Sequence, residues 1–163
     1  MSPFADLAHA VLSACETHGL MLATAESCTG GMIASALTDI PGSSSVVDRG
    51  FVTYSNDSKT EMLGVPAETL LAHGAVSRET AIAMAEGALA RSNASITVAV
   101  TGVAGPGGGT AQKPVGLVWF AVASSGSPTL AEHRLFDERG RDHIRQETVR
   151  TALELMLASL NRR

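Results

Sequence analysis

Amines are scarce in this chain: of its twelve basic residues ten are arginine, and only Lys59 and Lys113 are lysine. Arginine does not give up its proton in a protein, so a side-chain amine acting as a base must be one of these two. Lys59 follows Asn56, an N-cap type, which predicts that it stands at the third position of a helix's first turn. There the positive end of the macrodipole disfavours the charged ammonium, and burial acts in the same direction, toward a neutral amine able to take a proton from a serine. The alternative for Lys59 is a solvated helix residue. Two hydroxyl sources lie close in sequence: the loop Gly42-Ser43-Ser44-Ser45, and Tyr54 five residues before the lysine.

Two further segments have the right composition for a binding site. The turn Ala25-Glu26-Ser27-Cys28-Thr29-Gly30-Gly31 offers small residues and backbone N–H groups at a predicted helix start, suited to a phosphate or an oxyanion. Its bland reading is an ordinary capping turn. Cys28 is either a thiolate nucleophile or a small buried residue, and the second is favoured. The segment from Thr101 and Gly102 through Gly105 to Gly109 is rich enough in glycine to bring backbone against a ligand, yet it has neither the GK[ST] of a Walker loop nor the GxGxxG spacing. No SxxK pair, G-x-S-x-G elbow or histidine-based triad is present, so a Ser/Lys pair would have to be assembled by the fold.

Composition narrows the choices. The net charge is -4 and no lysine or arginine cluster exists, which argues against DNA or RNA as partner. Aromatic residues are 4% of the chain, too few for a base-stacking platform. The two cysteines, Cys15 and Cys28, form no metal-ligand spacing, so no metal is expected. The first nineteen residues read as neither signal peptide nor membrane span, and a cytoplasmic protein is expected.

The elements that would position these groups can be read from periodicity. Phe4, Leu7, Ala8, Val11 and Leu12 mark one helix face, stopped by Gly19. Leu20 to Thr24 suits a buried strand, with a helix after Gly31 turning Ile33, Ala34 and Leu37 inward. A strand from Val46 ends near Ser55, and the Lys59 helix ends at Gly64. Ser77 caps a helix through Ala81, Met84, Ala85, Ala88 and Leu89. Strands follow at Ile96 to Val100, Val115 to Ala123 and Leu130 to Phe136, and a last helix runs from about Arg141 to Leu160. Helices alternating with strands predict an α/β fold: a single three-layer αβα domain over residues 1–163 with a mixed sheet, because the last three strands lie too close for helical crossovers throughout.

Taken in order, Thr24-Ala25-Glu26-Ser27-Cys28-Thr29-Gly30-Gly31, Pro41-Gly42-Ser43-Ser44, Gly50 to Asn56 with Lys59, Gly74-Ala75-Val76-Ser77, and Thr101 to Pro106 with Lys113-Pro114-Val115-Gly116 resemble the CinA C-terminal family over nearly the whole chain. The resemblance implies a CinA C-terminal domain-like fold. The family includes stand-alone amidases that hydrolyse nicotinamide mononucleotide (NMN) to nicotinic acid mononucleotide and ammonia in pyridine-nucleotide salvage, by a Ser/Lys mechanism without cofactor. On this sequence the resemblance assigns Ser44 as nucleophile and Lys59 as base, with Ser27 and Tyr54 as supporting hydroxyls. Thr101 and Arg141 fall near the substrate, alongside the backbone of Thr29, Gly30, Gly102 and Gly105. Gly105-Pro106-Gly107 departs from the Gly-Pro-Asp form of some relatives. The competing expectations are a non-catalytic nucleotide-binding module of the competence or damage-inducible kind and a Cys28 hydrolase. Oligomeric state is open, with a homodimer as the candidate.

Overall fold

A computed structural model describes residues 2–163. Its centre is one five-stranded sheet in the order β2-β1-β3-β4-β5, formed by β1 (Leu22–Glu26), β2 (Val47–Val52), β3 (Ile96–Gly102), β4 (Leu117–Ser124) and β5 (Ser127–Leu135). β1 runs parallel to both β2 and β3, and β4 and β5 add antiparallel, so the sheet is mixed as expected.

Six α-helices cover the sheet: α1 (Ala5–His18), α2 (Met32–Thr38), α3 (Asn56–Leu63), α4 (Ala67–His73), α5 (Arg78–Ala90) and α6 (Arg141–Asn161). Side chains alternate across a strand, so each strand feeds two cores. Leu22, Ile96, Val98, Val100 and Phe120 pack under α1, α2 and α6, whereas Ala25, Ala99, Ala121 and Ala123 meet α5. Alanine on that second face lets α5 lie close to the sheet. Close approach reaches its limit at Gly87, in the last turn of α5, where an added Cβ would lie 2.0 Å from the Leu63 carbonyl oxygen at the end of α3. A glycine at 87 is thus what allows the lysine-bearing helix to seat on α5.

The connections create a crevice. From β1 the chain crosses through α2 on one face to β2, and from β2 it returns through α3, α4 and α5 on the other face to β3, on the far side of β1. Connections that leave on opposite faces open a gap outside the carboxyl ends of the two neighbouring strands. Ser27 follows β1 at that gap, and Thr101 is the penultimate residue of β3.

Several element boundaries differ from the sequence expectations. β1 begins two residues later, at Leu22, and extends through Glu26 because every one of its residues is buried. In α2 the inward set is Ile33, Ala36 and Leu37, with Ala34 only half-buried. Ser55, not Asn56, caps α3, its hydroxyl accepting from Ser58 N at 3.0 Å, which makes Lys59 the fourth helical residue instead of the third. β2 stops at Val52, before Tyr54 and Ser55, and α4 was not anticipated.

Candidate active site

Lys59 is 1% exposed, and its Nζ lies 3.1 Å from Ser27 Oγ, 2.9 Å from the Thr53 carbonyl oxygen and 3.4 Å from that of Tyr54. None of the ion pairs among the described residues includes it. Burial lowers its pKa from the usual lysine value, as expected for a cation removed from water without a counter-ion. Nζ donates all three of these bonds, to the two backbone carbonyls and to Ser27 Oγ, so the amine is held against the serine hydroxyl by the end of β2.

The Lys59–Ser27 contact spans the crevice because each partner is fixed by its own element. The Ser55 cap starts α3 immediately beyond β2, and the first turn directs Lys59 back over the strand end. Ser27 leaves β1 with its N–H donated to the Val100 carbonyl at 3.1 Å, so the serine is tied to β3. Behind it, the fully buried Glu26 holds the start of α2: its carboxylate accepts from Ile33 N at 2.9 Å, Ala34 N at 3.0 Å and Thr29 Oγ1 at 2.6 Å.

A cavity of about 310 Å³ opens beside Ser27 and Lys59. Its walls include Tyr54, Thr101, Gly102, Gly105 and Arg141, and these expected site residues are therefore gathered in one place. Arg141, the first residue of α6, donates to Tyr54 Oη at 2.9 Å and to the Gly105 carbonyl at 2.7 Å, tying the tyrosine to the glycine-rich loop. Thr101 Oγ1 donates to the Ala75 carbonyl at 2.9 Å, which fixes the opposite wall. Gly105 has φ +78°, and a Cβ there would lie 2.5 Å from Val115 Cγ1, so both conformation and space require glycine.

Ser44 is not part of this group. It is an exposed residue of the turn Ser43–Ser45 before β2, where Leu22 N bonds the Val46 carbonyl, whereas Lys59 comes after the strand's other end. The six residues of β2 separate the two ends by about 20 Å at ~3.3 Å per residue, so the expected Ser44–Lys59 pair does not form. Thr29 and Gly30 also fall outside the cavity lining. Thr29 turns its hydroxyl to Glu26, and Gly30 closes the turn by donating to the Ser27 carbonyl at 3.1 Å. Cys28 does line the cavity, but burial pushes its thiol up to about 12, the opposite of an activated thiolate. Glu26 entered the sequence reading only as a member of the Ala25–Gly31 turn, without a role of its own, and Arg145 not at all. Their signal is only that one adjoins Ser27 and the other follows Arg141 by one helical turn.

The model of the CinA C-terminal domain family matches residues 4–160. The chain belongs to that family. It is 44% identical over 155 residues to the nicotinamide-nucleotide amidohydrolase PncC of Escherichia coli K12, covering 95% of this chain and 93% of that protein. Against the CinA-like protein of Akkermansia muciniphila it is 51% identical over 153 residues, 94% of this chain but 37% of the relative. The chain spans 25% to 37% of the length of the longer CinA-like and competence-damage inducible relatives. Among solved structures, the competence/damage inducible protein CihA of Agrobacterium tumefaciens superposes with TM-score 0.94 at 56% identity, covering 99% of this chain and 97% of that one. The mixed sheet with helices on both faces is thus the CinA C-terminal fold, and no helix among the described residues is long and apolar enough to cross a membrane.

Proposed function

We propose that this CinA C-terminal domain is an amidohydrolase acting on the carboxamide of nicotinamide mononucleotide, with Ser27 as nucleophile and Lys59 as its base. One observation carries the reading: a fully buried lysine without a carboxylate partner, its amine 3.1 Å from a serine hydroxyl at the mouth of a cavity. The relative of matching length that is named nicotinamide-nucleotide amidohydrolase supports the substrate. The conversion would serve pyridine-nucleotide salvage in the cytoplasm.

In this scheme neutral Lys59 takes the Ser27 proton as Oγ attacks the carboxamide carbon. Collapse of the tetrahedral intermediate expels the amide nitrogen, which receives that proton from Lys59 and leaves as ammonia. Water then attacks the Ser27 ester, gives a proton to Lys59, and the acid departs as the proton returns to Ser27. Each half-reaction starts with the amine uncharged, which its desolvated setting favours. Cys28 Sγ takes no part. Arg141 keeps donors beyond its two contacts and stands at the cavity wall, where a forked guanidinium can hold the nucleotide phosphate. Backbone N–H groups of the Ser27 turn supply the oxyanion donors.

The test is direct. Purified protein incubated with NMN should release ammonia and nicotinic acid mononucleotide, and Ser27→Ala and Lys59→Met should abolish release while folding normally. Binding of NMN by wild type without turnover would instead favour the non-catalytic module that the competence-damage names of the longer relatives suggest.

A further inference from the structure

We infer that Arg145 is a positioning residue for the nucleophile: its guanidinium holds the turn after Ser27 in the conformation that aims Oγ at Lys59. The inference rests on the Ser27–Lys59 reading. Arg145 lies four residues after Arg141 on α6, so the two side chains leave the same helix face one turn apart. Arg141 reaches the cavity wall, whereas Arg145 passes behind the Ser27 turn. There its Nε donates to the Cys28 carbonyl at 3.1 Å and its Nη2 to the Thr29 carbonyl at 3.2 Å. A half-buried guanidinium therefore spends its charge on two successive backbone carbonyls, and none of the ion pairs among the described residues gives it a carboxylate.

This turn needs an external restraint. It contains Gly30 at φ +58° and Gly31 at φ +107°, residues that populate many other conformations equally well. Glu26 grips it from the α2 side, through the Thr29 hydroxyl and the amides of Ile33 and Ala34. Arg145 grips the two carbonyls that Glu26 cannot reach. A planar trans peptide sends its N–H opposite to its C=O, so turning the Cys28 carbonyl toward Arg145 also sets the direction of the Thr29 N–H. Cys28 lies on the cavity wall directly after the nucleophile, and a shift of about 1 Å in such a turn can cost about a hundredfold in rate. The fork geometry matters: a lysine ammonium is a point donor without the planar fork that spans two carbonyls.

Arg145→Ala and Arg145→Lys are compared with wild type in kcat and KM for NMN, in Tm, and in the rate at which a fluorophosphonate labels Ser27, located by mass spectrometry. The expected result for Arg145→Ala is a kcat and a labelling rate both lower by about thirtyfold or more, with KM within about threefold. Lysine recovers little of that, and millimolar guanidinium added to Arg145→Ala restores part of both rates. Should the alanine variant fail to fold, the lysine variant decides by the same measurements. Rates within about threefold of wild type overturn the inference, as does a loss that follows Tm and does not respond to guanidinium. A wild-type protein with neither turnover nor Ser27 labelling would defeat the amidase reading itself, whereas active wild type with equally active variants defeats only the role of Arg145.

Discussion

Two serine-bearing turns stand at opposite ends of the β1–β2 pair, and they differ in everything except the hydroxyl. Ser44 is exposed in a short turn at the amino end of β2, where its neighbour Ser45 reaches Glu16 and the Gly42 carbonyl. Ser27 lies at the carboxyl end of β1, against a buried amine, between a carboxylate that holds the following helix and a guanidinium that holds the turn. A serine in a glycine- and serine-rich loop is thus no more reactive than any alcohol. What sets Ser27 apart, and what the proposed mechanism uses, is a desolvated amine within hydrogen-bond reach.

The sharpest way to break this contrast is to remove each hydroxyl in turn. Ser27→Ala should lower kcat for NMN hydrolysis by at least about a thousandfold, with a comparable loss for Lys59→Met, while Ser44→Ala stays within about twofold of wild type. Steady-state ammonia release decides it, and an inactive Ser44→Ala beside an active Ser27→Ala would reverse the assignment. Next in size, Arg141→Ala should raise KM for NMN by roughly ten- to a hundredfold through loss of charged hydrogen bonds to phosphate, with kcat less affected. An unphosphorylated nicotinamide riboside should lose discrimination between wild type and this variant.

The pH dependence sharpens the same point. Because burial depresses the Lys59 pKa, kcat/KM should rise with pH along a limb below the ordinary lysine range, and a limb near 10 would contradict the buried amine. Stability carries the matching sign. Between the depressed folded pKa and the unfolded value of about 10.4, the unfolded chain binds more protons at this position, so the contribution of Lys59 to stability increases as pH rises. Below that window its burial cost is fully present. Denaturant titrations should therefore show the stability of wild type relative to Lys59→Met improving with pH across that window. The smallest effect concerns the scaffold: Gly87→Ala should destabilise by about 1 to 3 kcal/mol, because its Cβ would meet the Leu63 carbonyl, and part of the activity should go with the displaced α3.

Periodicity made the long helices legible. α1, α5 and α6 bury most of the residues whose spacing announced them, including Val11, Met84 and Ile144, while Leu7, Leu89 and Leu155 are only half-buried. α4 escaped notice because it buries no residue and so leaves no apolar stripe to read. The lysine was singled out by its scarcity, yet its burial is invisible in α3, a short polar helix whose only buried members are Lys59 and Leu63. The choice between Ser27 and Ser44 could not be made from spacing, since both precede Lys59 at plausible loop positions. What separates them is the parallel pairing of β1 with β2, which puts the end of β1, and not the start of β2, beside the amine. Arg145 reads as one more surface arginine until α6 is laid against the turn.

The same arrangement governs how the protein meets amine-directed reagents. With Lys59 sealed against Thr53 and Ser27, Lys113 is the lysine left within reach of acylating agents, and its ammonium rests against the His73 carbonyl beside Gly74, over the turn that forms one wall of the cavity. Coupling a dye or a solid support through lysine would accordingly attach beside the turn that forms that wall.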